Sequence, residues 1–570
     1  MIFSPGRSKE PALPPSPLST LSALASAAVS LGVFLRIDGL DRKSLWFDEI
    51  WTIYDISQPT LGELLHHLEY SPQPPLYYAG LWGWVAVWGL NDITIRLFSA
   101  IFGVLTIPVL FVTWRNLLSP RAMLWALSLQ AMNAYHISYS QDAKMYSMVW
   151  LLATASSGCF LHAISDQSRR LAWLVGYGVC TGCLPFVSYV GIAPLVVQVL
   201  FGVMLLVFDR KRRGSVIDVG VVALLAMMPI LFYLQFAVAA ASNRTGISWI
   251  PELRWERVPI ELYRFIGVLL LGYRPSQEAP SGLWGWSLAS LFGPCVLACL
   301  LMLSLSIKRT LVREWSKGTG TANLDSSEAQ GQDDLIALRR AEVTLYLALW
   351  FLVPVLGSVI FSLSVYSLWG VPRYLFAAAP ALLIWLGLAL GTLRHQRIAL
   401  SVGTLLLVAN LAVIAFERTH VTRIPWREVA RSIADVAATI GTLDLLHPVG
   451  GRIDPSLSAD LSVCSLGSHE LDRPCLQHAM GHDGTNPSRV QLEFTSLEIA
   501  RSRRRPFVFV MTIPIRPAPS GGIPSELEQA TASFTCRQIY RQTVYQEPYT
   551  AMPAPFTRYS VEVWFCSPRP

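Results

Sequence analysis

Two adjacent carboxylates, Asp48 and Glu49, stand in the stretch SLWFDEIWT (44–52), directly beyond the first long apolar run. Ionised groups are expensive to hold near hydrocarbon, so charge there marks a functional site by default. Trp46, Phe47 and Trp51 surround the pair, and such aromatic residues favour the membrane–water interface. The segment reads as an acidic site at a membrane surface. A second polar stretch, HISYSQDAKMYS (136–147), supplies His136, Gln141, Asp142, Lys144 and Tyr146. A third, SLWGVPRYLF (367–376), sets Arg373 and Tyr374 at the entrance of an apolar run. Carboxylates from two loops and a cation from a third can take a proton from an acceptor and neutralise a phosphate leaving group. Each residue also has a plainer reading: an Arg at a helix end anchors at the interface, and a loop Asp is solvated.

The elements that must position these groups are membrane spans. The 570 residues are 52% hydrophobic and 15% charged, with a mean hydropathy of +0.43. A soluble domain carries about a quarter charged residues. The net charge of +7 fits cytoplasmic anchoring residues, and no basic stripe interleaved with aromatics suggests nucleic acid. Spans are expected near 19–36, 96–114, 121–139, 145–164, 171–187, 189–207, 217–236, 284–307, 342–364, 374–392 and 396–416. Arg7 and Lys9, Arg115 and Arg121, Arg169 and Arg170, the run Asp209 to Arg213, Lys308 and Arg309, and Arg394 with Arg397 then share one side. The positive-inside rule makes it the cytoplasm.

That sorting requires the aromatic stretch 76–90 (LYYAGLWGWVAVWGL) to lie along the outer interface. The alternative is that it crosses and 171–187 or 189–207 does not. The expected fold is an α-helical polytopic membrane protein of roughly eleven spans. Residues 1–18 form a disordered cytoplasmic N-terminus and 19–416 the transmembrane domain, with a first outer loop at 37–95 and a flexible cytoplasmic loop at 308–341. Residues 417–570 should form a small extracytoplasmic α/β domain, with strands such as PFVFVMTI (506–513) and YSVEVWF (559–565). The first apolar run has no small-residue cleavage site and reads as uncleaved.

Cysteines 159, 180, 183, 295 and 299 fall in apolar runs, where a thiol acts as a small hydrophobe. Cys180-x-x-Cys183 is read as packing rather than redox or metal chemistry. Cys464, Cys475, Cys536 and Cys566 lie in the tail, permitting two disulfides in any of three pairings. His66 and His67 are metal-ligand residue types, but neighbours on one helix diverge, and no convincing ligand set is present.

Four elements in order carry a resemblance: WFDE in the first loop, PQPPLYY ending it, YSQDAKMYS in the second, and PRYL at a late span, with IPWREVARSI (424–433) opening the tail. Over roughly 20–435 the chain resembles the GT-C class of polytopic glycosyltransferases. The likeness is to bacterial relatives of dolichyl-phosphate-mannose protein mannosyltransferase, and more distantly to lipid A aminoarabinose transferases. The resemblance implies inverting transfer of a sugar from a polyprenyl-phosphate donor outside the membrane. Asp48 matches the family's general base. Arg373, assisted by Lys144, would meet the charge of the departing phosphate. Asp142 would orient the acceptor or Lys144, and Glu49 would support the base or the sugar. Gln73, Gln141, Tyr146 and Tyr374 fall on the substrate-binding side. Gln73 stands where many relatives have His, and Lys144 where many have Arg, a point charge replacing a fork.

No cofactor is expected, and metal-independent transfer is the reading, a divalent ion staying open. The expected partners are the donor, the bilayer and an acceptor that is a protein, lipid or envelope glycan. The expected location is the inner membrane. A transporter or flippase would place charges near mid-membrane and show a repeat. A lipid-linked oligosaccharide polymerase or ligase would use a diphosphate donor. Neither pattern fits as well.

Overall fold

The computed structural model describes residues 17–69, 73–165, 169–242, 252–272, 290, 292–308, 328–365, 367–369, 371–420, 428–429, 432, 435–436, 442–446, 491–495, 506–514, 534–545 and 558–569. Among them, nine helices are long and apolar enough to cross a membrane. They are Ser19–Ile37, Asp92–Trp114, Tyr146–Ser165, Arg170–Val187, Tyr189–Phe208, Arg210–Leu231, Arg340–Ser364, Pro372–Gly391 and Gln396–Thr419. These match nine of the expected spans; the other two differ. At 284–307 the described part is the shorter apolar helix Phe292–Lys308. The expected span at 121–139 is broken into Pro120–Met132 and Ala134–Ser140.

The break has a local cause. Asn133 is extended at ψ 113°, and its side chain accepts from the backbone of His136, which starts the second segment as an N-cap. Its amide also donates to Leu269 O and Leu270 O. Asn410 completes the junction by accepting from Ala134 N at 2.8 Å and donating to Leu270 O at 2.9 Å. Leu269 and Leu270 lie in the last turn of Val258–Leu271, a helix that the sequence reading did not place. That turn is buried, and Gly272 caps it at φ +65°, where a Cβ would meet Tyr135 N.

Other helix ends nearby are finished in the same way. The last carbonyls of Pro120–Met132 have no partner within their own helix. Arg36, fully buried on the first helix, donates to Ala131 O at 2.6 Å and to Gln130 O at 3.1 Å, placing a cation at the negative helix end. It also donates to His136 Nδ1, which makes that nitrogen an acceptor. The first helix ends on Gln141, whose amide donates to Leu35 O and Asp38 O, both at 2.9 Å.

Pro120–Met132 lies at the centre of the bundle, against Pro17–Ile37 and Ala379–Gly391. Gly387 and Gly391 face Ala126 and Ala122 so closely that a Cβ on Gly391 would come within 2.5 Å of Ala122 Cα. Such small-residue contacts let helices pack without a hydrophobic driving force between them. The stretch 76–90 forms the helix Pro75–Trp88 of 14 residues. At about 21 Å it is shorter than the hydrocarbon core. Trp82 and Trp84 donate to Gln58 O and Thr94 O, while Trp88 is exposed.

The expected flexible loop 308–341 is in part helical, because Glu328–Ser364 is one continuous helix whose first turns lie within it. Helix-forming Ala, Gln, Leu and Arg fill those turns. Residues 309–327 lie outside the described residues, as do 1–16, Cys464 and Cys475. In the tail, β1 (Thr442–Leu446), β2 (Gln491–Thr495), β3 (Phe507–Pro514), β4 (Phe534–Tyr545) and β5 (Arg558–Pro568) form one mixed sheet in the order β2-β1-β3-β5-β4. The two strands read from sequence are β3 and β5, paired antiparallel. Cys536 of β4 and Cys566 of β5 are opposite each other and disulfide-bonded.

Asn410→Leu would leave the Ala134 N–H and the Leu270 carbonyl without the Asn410 amide in a buried junction. The expected loss is about 1–3 kcal/mol per unmade bond, read as a lower unfolding midpoint of the detergent-solubilised protein. An unchanged midpoint would show that the break does not depend on Asn410.

Candidate active site

Asp48 and Glu49 open the helix Phe47–Ile56, where two negative charges suit the first turn. On a helix, consecutive side chains diverge by about 100°, so the pair cannot share one surroundings. Glu49 turns inward and is fully buried. Arg96, also buried, meets it with both arms: Nε to Oε1 and Nη2 to Oε2, each 2.7 Å. The same guanidinium donates to Leu40 O, Lys43 O and Ser44 O, and Glu49 Oε1 also accepts from Ala143 N at 2.9 Å. One ion pair therefore joins the first loop, the helix Asp92–Trp114 and the second loop.

Asp48 turns the other way and stays part-exposed. Its Oδ2 lies 3.6 Å from Arg373 Nη2, longer than the 2.7–2.9 Å of a tight charge-assisted hydrogen bond. Arg373 sits in the short 3₁₀ segment Pro372–Ala378. Its guanidinium lies over the rings of Trp46 and Tyr374, with centroids at 5.5 and 5.9 Å. Three residues on, Phe376 is packed by Tyr135, Tyr139, Tyr146 and Trp150 at centroid distances of 4.8–5.6 Å. This aromatic nest fixes the segment that carries Arg373. Tyr139, Tyr146 and Tyr374 are within electrostatic reach of its charge.

Lys144 approaches from the second loop and is 3% exposed. Its Nζ donates to Tyr78 Oη at 3.0 Å. Burial pulls its ammonium below the ordinary lysine value, opposed by Asp48 and Asp55 nearby. Ser99 holds the Lys144 backbone, donating to Lys144 O at 3.0 Å and touching Tyr77 Oη at 2.6 Å. Asp55 is buried and meets His67 Nε2 at 3.1 Å.

Asp48, Arg373, Tyr374, Tyr146 and Lys144 thus lie close together. Asp142 is buried near Tyr77 and accepts from Lys144 N at 2.7 Å through its own carbonyl, shaping the turn that presents Lys144. Gln73 is part-exposed at the start of the helix Pro75–Trp88. Gln141 departs from expectation: its amide is directed to the end of the first helix rather than toward substrate. His66 and His67 diverge, toward Glu69 and Asp55. Among the described residues no group of three or more His, Cys, Asp or Glu could hold a metal ion.

Sequence reasoning missed Arg96, Tyr78 and Asp55. Arg96 was legible as a charge inside an otherwise apolar run. Thr52 and Asp55 follow Asp48 at i+4 and i+7 on one helix face.

Residues 72–233 match the family model described as dolichyl-phosphate-mannose-protein mannosyltransferase. The match includes Gln73, Gln141, Asp142, Lys144 and Tyr146 and leaves Asp48, Glu49, Arg373 and Tyr374 outside. No curated protein matches the chain. Among solved structures, ArnT from Cupriavidus metallidurans, bound to undecaprenyl phosphate, is 14% identical, with 95% of this chain and 98% of that one covered, at a TM-score of 0.43. The archaeal oligosaccharyltransferase AglB from Archaeoglobus fulgidus, with an inhibitory peptide and a dolichol-phosphate, is 14% identical over 73% of this chain and 58% of that one, at 0.44. The S. cerevisiae protein O-mannosyltransferase Pmt1-Pmt2 complex, bound to the sugar donor, is 17% identical over 39% and 35%, at 0.30.

Glu49→Gln keeps the shape and removes the charge facing buried Arg96. Breaking such a pair typically costs about 3–5 kcal/mol, so the unfolding midpoint in detergent should fall well below wild type. A midpoint within error of wild type would show that the pair is not structural.

Proposed function

We propose that the chain is a membrane glycosyltransferase that moves a sugar from a polyprenyl-phosphate donor to an acceptor at the extracytoplasmic face. The observation that carries this reading is the loose pairing of Asp48 with Arg373 at 3.6 Å. A carboxylate and a guanidinium stand face to face at the end of an apolar helix, close enough to act on one reacting centre. The family match over 72–233 supports the substrate class.

In the proposed reaction, Asp48 takes the proton from the acceptor's nucleophilic group. The nucleophile forms a bond to the sugar's anomeric carbon while the bond from that carbon to the phosphate oxygen breaks. Attack opposite the leaving group inverts the anomeric configuration. The electron pair of the broken bond departs on polyprenyl phosphate, where Arg373 offers a planar fork and Lys144 a nearby point charge. Tyr146 and Tyr374 wall the place where sugar or acceptor would sit. Glu49 acts through the backbone, holding the Asp48 helix rather than touching substrate.

The test is transfer of a labelled sugar from a synthetic polyprenyl-phosphate donor by purified protein in detergent, with no sealed compartment, followed by mass spectrometry of acceptors. Asp48→Asn should lower turnover by about 10²–10⁴-fold, the usual worth of a positioned base, with normal membrane insertion. Full activity in that variant would remove the base assignment. Arg373→Ala should weaken use of the donor far more than use of the acceptor. Equal loss for both would argue against a phosphate role.

A further inference from the structure

The turn between the first helix and the Asp48 helix, residues 38–46, is fastened from several directions. Arg96 holds the carbonyls of Leu40, Lys43 and Ser44 from one side. A second set of contacts comes from the end of the last apolar helix, Gln396–Thr419. Arg418 pairs with the Asp38 carboxylate and donates to Leu35 O and Asp38 O, both at 3.1 Å. These are the carbonyls that Gln141 also binds from the second loop. Next to it, Glu417 Oε2 accepts from Lys43 Nζ at 3.0 Å and from Ser138 Oγ at 2.6 Å. Ser138 belongs to Ala134–Ser140, the helix that leads into the Lys144 turn.

An ion pair at a water-exposed surface contributes little. This one differs in place and in partners. The Glu417 side chain is 9% exposed, and it bridges the segment that carries Asp48 and the segment that carries Lys144. Arg418 and Gln141 meet on the same two carbonyls from different elements. We infer that Glu417 and Arg418 are positioning residues for the transfer reaction, setting through the 38–46 turn where the Asp48 carboxylate stands relative to Arg373 and Lys144. This rests on the proposed role of Asp48. The same two residues fasten the helix that precedes the tail to the turn that precedes the base.

A charge exchange tests the inference. Glu417→Lys sets two cations against each other, and Lys43→Glu two carboxylates. Each should lower kcat by about 10–100-fold, the scale of a misplacement near 1 Å, with the donor KM unchanged. The double variant Lys43→Glu with Glu417→Lys restores opposite charges and should recover most of kcat. Arg418→Lys should retain more kcat than Arg418→Met. Were Glu417→Lys to miss the membrane, Glu417→Gln replaces it and must still lower kcat, because it loses the charge toward Lys43 while still accepting from Ser138. Wild-type kcat in the single variants, or no recovery in a double variant with a normal unfolding midpoint, overturns the inference. Asp48→Asn run alongside separates the two claims. If it is inactive while the Glu417 and Lys43 variants are normal, the clamp falls and the base stands. If it is fully active, the base assignment falls first.

Discussion

Arg96 carries a guanidinium into a helix that is otherwise almost entirely apolar, and the fold is arranged around satisfying it. Removing such an ion from water costs several kcal/mol, a penalty offset only by good geometry and by partners for its donors. Glu49 supplies a bidentate carboxylate, and three carbonyls from the 40–44 turn take up further N–H groups. The consequence is positional. A turn whose carbonyls are held on a buried cation cannot drift, and the helix that follows begins with Asp48. Because Glu49 also accepts from Ala143 N, the second loop is registered against the same point. One charge pair thus sets the relative places of two loops that contribute to the site.

The other interruptions of the bundle obey the same logic. Helix ends near the candidate site leave carbonyls that no membrane solvent can satisfy, and side chains from other elements satisfy them. Arg36 closes the end of Pro120–Met132, Asn133 and Asn410 close Val258–Leu271, and Gln141 with Arg418 closes the first helix. Each cap doubles as a cross-link between elements far apart in sequence. The interruptions therefore stiffen the region rather than loosen it, as the proposed reaction requires if base and cation are to stand within fractions of an ångström.

The helical spans were legible because a run of apolar residues near bilayer length has few other uses. The broken helix at Asn133 was not, because Asn within an apolar run has no local signature of the carbonyls it will meet more than a hundred residues away. Strands β3 and β5 showed their period of two; β1 and β2 are too short to stand out. In the candidate site, Asp48, Lys144 and Arg373 stood out in the sequence by their charge. Gln141 looked equivalent to them in a polar stretch, yet its neutral amide caps a helix. Distinguishing an amide that binds substrate from one that binds backbone needs the third dimension. The i, i+4, i+7 face of Asp48, Thr52 and Asp55 is readable in the sequence, although the adjacent Asp48-Glu49 pair is the more conspicuous signal.

The separation of that pair explains why two acids stand together. On the proposed reaction, a base must be able to accept a proton, so it cannot be locked by a tight bidentate cation. Glu49 is locked in that way by Arg96, whereas Asp48 faces Arg373 at 3.6 Å. The looseness leaves the carboxylate accessible to an incoming nucleophile and the guanidinium to a phosphate. A lysine at 144 suits the same division of labour. Arg373 already provides a planar fork, so a second cation need contribute only charge. A point charge on a long stem suffices once Tyr78 fixes its end.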